Sequence, residues 1–157
     1  MFSQTVEYAL RSMIYLALHS GDSRFVRVAD LAEAAHIPPA YLAKVMRRMA
    51  AAGLVRGQKG HNGGFALAHE PSKITLRSVL EAAGVSFEPL HCAFGLPKCN
   101  PKKPCVLHDT WSDFKERCEH WASSYTLADV LATPSGKDTL VALRTPSTTA
   151  PAATADG

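Results

Sequence analysis

The sequence predicts a mainly α-helical chain: a winged helix-turn-helix with a small β-hairpin wing and a long C-terminal helix suited to dimerisation. Three observations predict it. Two short stretches with apolar residues at helical spacing are separated by HIPP (36–39), a tight break. Directly after them, GLVRGQKGHNGGFALAHEP (53–71) reads as two strand-like runs around a tip rich in Gly and Asn. Further on, Leu107–Ser124 places large apolar residues near every 3.6 positions.

The first helix is expected over Ser3–His19, with Val6, Ala9, Leu10, Met13, Ile14, Leu16 and Ala17 as its apolar face. Glu7 and Arg11 interrupt this segment and no basic leader precedes it, which argues against a secretion signal. No apolar run approaches the roughly 18 residues that a membrane span needs. A cytoplasmic chain without membrane contact is the expectation. SGDSR (20–24) is a turn, and Val28–Ala35 is a helix facing inward through Val28, Leu31, Ala32 and Ala35. Pro38 and Pro39 end it, yet a proline suits the first turn of the next helix, Ala40–Ala52. There Leu42, Val45, Met46 and Met49 share one face, and Tyr41, Lys44, Arg47 and Arg48 point elsewhere. In a winged helix this second helix enters the major groove of DNA and the wing reaches phosphates or the minor groove. Lys59 lies at the wing tip, with His61 beside it.

The strands are expected at Leu54–Gln58 and Phe65–Ala68. A short helix follows over Ile74–Ala83, opened by Thr75 as N-cap and closed by Gly84. On the long helix, Leu107, Trp111, Phe114, Cys118 and Trp121 form a stripe, while Asp109, Asp113, Glu116 and His120 line another face. Two tryptophans outside a small core need cover, from a second copy of the chain or from its own first helix. Cys118, on the stripe, reads as a packing residue. TLADV (126–130) adds a last helical turn, and the Pro/Ala/Thr-rich remainder reads as disordered. The division is therefore 1–84 as DNA-binding head, 85–105 as cysteine-rich loop, 106–131 as dimerisation helix and 132–157 as tail.

Charge follows the same division. Residues 1–78 carry ten Lys/Arg against five Asp/Glu, and residues 79–157 carry seven against nine. A basic head on a mildly acidic body suits a polyanion partner. Enzymatic chemistry finds no support: there is no nucleophile signature, and KGHNGG is a Gly-rich stretch in a hairpin, not one preceding a helix.

CAFGLPKCNPKKPCVLH (92–108) gathers three of the four cysteines between turn-forming, polar flanks where no core can form. In a reducing compartment structural disulfides are disfavoured, and three thiols do not pair evenly. Metal ligation suits them: thiolates are soft donors for iron–sulfur clusters or zinc, and spacing alone does not separate the two. Lys98, Lys102 and Lys103 would offset the charge of thiolates and cluster.

These features together resemble the BadM/IscR/NsrR/RirA family of bacterial winged-helix regulators over roughly residues 1–131. The resemblance rests on VEYALRSMIYLA, IPPAYLAKVMRRMAAAGLV, the KGHNGGFAL wing, the three cysteines before the long helix and the closing YTLADV. It implies a homodimeric repressor of promoters that senses iron, redox state or nitric oxide through a 4Fe–4S or 2Fe–2S cluster. Cys92, Cys99 and Cys105 match the cluster ligands. Family members differ in the fourth: some use an acidic residue of the first helix, where this chain has Glu7, and others a histidine just after the last cysteine, where it has His108. The wing and the loop resemble the nitric-oxide-sensing branch, which favours Glu7. Pro39, Ala40, Tyr41, Lys44, Arg47, Arg48 and Lys59 are the candidate contacts to a partly palindromic double-stranded DNA. Two positions depart from the pattern. Lys59 stands where arginine is usual, and lacks its planar fork. Pro38, Pro39 and Ala40 replace small polar residues, and Ala43 replaces an acidic residue of some members, which removes a possible negative selector and leaves the operator sequence open. A zinc-bound or metal-free thiol-redox repressor, or a small electron-transfer iron–sulfur protein, are the alternatives that the same thiols allow.

Overall fold

The structure, a computed structural model, describes residues 3–22, 25–60, 63–87, 94 and 102–133. Cys92, Cys99, Lys98, His61 and the expected tail beyond residue 133 lie outside the described residues.

Six α-helices and one hairpin are described in the order α1 (Gln4–Leu18), α2 (Val28–Ala35), α3 (Pro39–Ala51), β1 (Val55–Gln58), β2 (Gly64–Leu67), α4 (Leu76–Ala83), α5 (His108–Ser124) and α6 (Leu127–Ala132). Short 3-10 turns at Ser20–Asp22 and Pro71–Lys73 join α1 to α2 and β2 to α4. Each element sits within two residues of its expected bounds. The helices are set by apolar spacing and by caps that the sequence displays. Thr75 accepts the amide of Ser78 at the start of α4, and Gly84 ends that helix at φ 103°, a conformation that only glycine adopts without steric cost. Thr126 and Asp129 form a reciprocal capping box at the start of α6.

The core is built from α1, α2, α3 and α4, with Val55 of β1, Leu67 of β2, Ala122 of α5, Leu127 of α6 and the connecting Ile37, Leu54 and Ile74 completing it. Its largest fully buried side chains include Met13, Leu31, Leu42, Met46, Met49, Ile74 and Leu80. On α1 the expected face is shifted: Tyr8 and Ser12 are buried, whereas Leu10 and Ile14 are only half-buried.

β1 and β2 pair antiparallel, with Val55 opposite Leu67 and Gln58 opposite Gly64. A further bridge joins Val26 to Phe65 through two hydrogen bonds of 2.8 Å, so the chain before α2 forms a third edge of the wing. This contact explains the second glycine of the pair in the wing, Gly64. A Cβ on Gly64 would lie 2.0 Å from the Val26 carbonyl oxygen, so no larger residue fits. A second bridge, Thr75 with Thr126, fastens the segment before α4 to the segment after α5, through Leu76 N to Tyr125 O at 2.8 Å and Leu127 N to Ile74 O at 2.9 Å.

The long helix does not bury its stripe within the chain. Ala122 is the one buried residue of α5, while Phe114 is 50% and Trp121 40% exposed, and Leu107 and Tyr125 are exposed at its ends. Trp111 stacks on Phe114 at 5.6 Å between ring centroids. Cys118 is half-buried, so its packing is incomplete in a single chain. No helix among the described residues is long and apolar enough to cross a membrane.

Candidate nucleic-acid interface and cysteine segment

α3 is amphipathic in the way the interface requires. Leu42, Val45, Met46 and Met49 are buried, and Pro39, Ala40, Lys44, Arg47 and Arg48 are exposed. Pro38 and Pro39 start the helix, as expected of residues with a preset φ and no amide hydrogen to lose. α2 ends at His36 in the left-handed region (φ 52°), which turns the chain sharply from α2 into α3.

The candidate contacts fall into two groups. Lys44, Arg47 and Lys59 stand at the surface, Arg47 returning one hydrogen bond of 3.1 Å to the Ala43 carbonyl of its own helix. Tyr41 and Arg48 are engaged elsewhere. The Tyr41 hydroxyl is 2.8 Å from Thr5 Oγ1, and its ring meets Tyr8 edge-on at 5.3 Å, so Tyr41 fastens α3 to α1. Arg48 donates to the Ala83 carbonyl at 3.0 Å and so caps the C-terminus of α4, where a cation also meets the negative end of the helix dipole. Sequence periodicity separated the two faces of α3 and could not show these two distant partners.

Two cations were missed by the sequence reading. Arg56 is exposed on β1, its guanidinium 5.9 Å from the Phe25 ring. Its place next to the wing and its charge were the available signal. Arg77, on α4, donates to Glu81 at 2.8 Å and to Glu119 of α5 at 2.6 Å. The first of these pairs was visible at i,i+4 spacing and the second was not. Both carboxylates raise the Arg77 pKa further above its ordinary value, the Glu81 hydrogen bond being the larger cause.

Of the thiol triad, Cys105 lies within the described residues. It is half-exposed and unpaired, and its carbonyl accepts the amide of His108 at 3.0 Å. Cys105 thus belongs to the turn that leads into α5, with His108 as the first residue of that helix. Glu7 is exposed on α1 and pairs loosely with Arg11 at 3.8 Å. Among the described residues no group of three His, Cys, Asp or Glu side chains is placed to hold a metal ion. Soft, unpaired thiol chemistry at the mouth of a helix fits a thiolate-bound inorganic group.

Comparisons with known proteins agree on what this arrangement is. The family model described as Rrf2, iron-dependent transcriptional regulator, matches residues 2–133. A protein of Aquifex aeolicus (strain VF5), assigned by name to the HTH-type transcriptional regulators, is 36% identical over 133 residues, covering 83% of this chain and 91% of that one. The HTH-type transcriptional regulator IscR of Yersinia pseudotuberculosis is 32% identical over 124 residues, covering 79% and 74%. Among solved structures, T. potens IscR superposes with a TM-score of 0.69 at 27% identity over 88% of each chain. The B. subtilis global cysteine regulator CymR, at 22% identity, shares the fold with a TM-score of 0.71 over 83% of this chain and 95% of that one. With a winged helix-turn-helix and a family match that spans all the described residues, the chain belongs to the Rrf2 family and is a DNA-binding transcriptional regulator, not an enzyme.

Proposed function

We propose that the protein is a homodimeric repressor whose grip on its operator is set by an iron–sulfur cluster, of 4Fe–4S or 2Fe–2S type, that responds to nitric oxide, redox state or iron. Cys92, Cys99 and Cys105 would hold the cluster, with Glu7 or His108 as the fourth ligand. The single observation that supports this most is mechanical. Cys105 sits in the turn that starts α5, and α5 presents an uncovered aromatic stripe of the kind that a second copy buries. When bound, the cluster would supply an iron site that small molecules and oxidants reach.

The residues of the chain do the rest. Lys44 and Arg47 of α3, with Pro39 and Ala40 at its start, approach one major-groove half-site, and Lys59 reaches the adjacent backbone or minor groove. Tyr41 and Arg48 hold the helix at the angle this needs. Two heads related by a dyad read a partly palindromic site. Phosphate contacts dominate the affinity, so binding weakens steeply with salt. Occupancy of the cysteine segment changes how the start of α5 is held, and a shift of about 1.4 kcal/mol between head arrangements already alters occupancy tenfold.

Anaerobic purification followed by absorbance, iron and sulfide analysis tests the cluster. A brown or red protein with iron and sulfide is the expected result, whereas a colourless one containing zinc replaces the cluster by zinc. Cys99→Ala tests the control: a variant that binds and releases the operator like the parent rules out sensing through the triad.

A further inference from the structure

α5 is held like a lever. Its C-terminal end is fastened by backbone, through the Thr75–Thr126 bridge, and by the burial of Ala122 and Leu127. From Glu119 back to His108 the helix runs about 17 Å at 1.5 Å per residue, and no side chain in that stretch is buried. One side-chain tie from this arm to the head is the 2.6 Å hydrogen bond that Arg77 donates to Glu119. The same guanidinium bonds Glu81 at 2.8 Å, and its Cζ lies 5.5 Å from the ring centroid of Phe87, where the chain leaves α4 for the cysteine segment. Arg77 therefore touches both the departure of that segment and the helix to which it returns. The far end of α4 is the carbonyl of Ala83, which receives Arg48 of α3 at 3.0 Å. α4 packs directly against both α3 and α5.

The geometry points to Arg77 as a positioning residue that transmits the state of the cysteine segment to α3: its clasp on Glu119 sets the angle of α5 on α4, and α4 sets the seat of Arg48. This inference rests on the proposed function only in what moves the lever, since the clasp itself joins described elements of a single chain. Neither Arg77 nor Glu119 lies on α3, and α4 packs against both α3 and α5, so a change in α3 exchange reports the route through α4. A planar guanidinium can hold three partners at once, which an ammonium cannot do in the same geometry. Releasing one of them loosens the hold of the arm on α4 while leaving the hydrophobic core of the head in place.

The test uses the full chain with Glu119→Gln, which keeps the shape and removes the charge, and with Glu119→Asp, which keeps the charge. Hydrogen exchange is followed for the amides of α3 in the protein as isolated. Operator affinity is measured with and without reconstitution by iron and sulfide, on a duplex selected from a random pool by the parent protein. Exchange in α3 should accelerate at least threefold in Glu119→Gln and return toward the parent rate in Glu119→Asp. Where the parent shows a loaded-to-free affinity ratio, that ratio should fall toward one in Glu119→Gln with the absorbance of the loaded protein unchanged. Unaltered α3 exchange in Glu119→Gln overturns the inference, and so does a parental affinity ratio retained by that variant. A parent ratio of one, with α3 exchange still responding to Glu119→Gln, counts against the proposed sensing and supports the clasp.

Discussion

In the 13-residue α3, Leu42, Val45, Met46 and Met49 are fully buried; in the 17-residue α5, Ala122 alone is. Fully burying an aliphatic side chain stabilises by about 1.5–3 kcal/mol, so α3 is held by its own chain many times over. Its surface cations can be presented at a fixed angle because the opposite face has no freedom left. α5 has the reverse character. Its large side chains are the ones left outside, and its ties to the head include a backbone bridge at one end, the burial of Ala122 and the Arg77–Glu119 hydrogen bond. Local stability follows packing density. The rigid helix is the one proposed to read DNA, and the loosely held helix is the one that begins at the turn containing Cys105.

The comparison breaks most visibly if the stripe of α5 is not an interface. Phe114, half-exposed and stacked on Trp111, is the place to test it. Phe114→Glu should raise the dimer dissociation constant at least 100-fold, as expected for loss of an aromatic anchor worth roughly 3 kcal/mol. It should weaken operator binding in step and leave the folding of the head intact. Sedimentation equilibrium and thermal melting measure the two effects separately. A variant that stays dimeric places the contact between copies elsewhere.

This contrast also explains what the sequence could and could not reveal. α2, α3 and their faces were legible because burial at i, i+3, i+4 and i+7 is a local pattern. The caps Thr75 and Gly84 were legible because each acts within four residues; the capping box of Thr126 and Asp129, equally local, went unread. The Val26–Phe65 and Thr75–Thr126 bridges, the Tyr41–Thr5 contact, the seat of Arg48 on Ala83 and the Arg77–Glu119 clasp join residues far apart in the chain. No period or motif announces such pairs. In the candidate interface the same line divides Lys44 and Arg47, whose exposure follows from helical phase, from Tyr41 and Arg48, whose roles depend on distant partners. The thiol triad is a reading of the sequence and its flanking turns, and of its three members Cys105 lies among the described residues.

A smaller effect is expected at the fulcrum of the lever. Thr126 donates to Asp129 Oδ2 through its backbone at 2.8 Å and its hydroxyl at 2.6 Å, and the Asp129 amide returns a bond of 3.2 Å to the hydroxyl. The hydroxyl first and the backbone second hold the Asp129 carboxyl below its ordinary pKa of 3.8. The carboxylate is thus favoured in the folded state. Its contribution is complete above 3.8 and is lost as pH falls through the lower folded value. Thr126→Ala should lower the melting temperature by about 3–5 °C near neutral pH. The gap between variant and parent should narrow under acid, below pH 3.8. A gap that stays constant through that range means that the cap does not depend on the charged carboxylate.

The smallest expected effect has the opposite sign and lies in the well-packed region. Ser12, on α1, is completely buried, and its Oγ has no hydrogen-bond partner among the described residues. A buried hydroxyl without a partner is costly, and alanine is the better helix former. Ser12→Ala should therefore raise the melting temperature by about 2 °C, a gain on the order of 0.5 kcal/mol. Leu10 and Ile14, two positions to either side, are only half-buried in the single chain, so this part of α1 borders surface that is still open. If Ser12→Ala instead destabilises, its hydroxyl acquires a partner in the assembled particle. The cover for α5 would then extend onto α1, and the division between a self-sufficient head and an incomplete long helix would run through α1 itself.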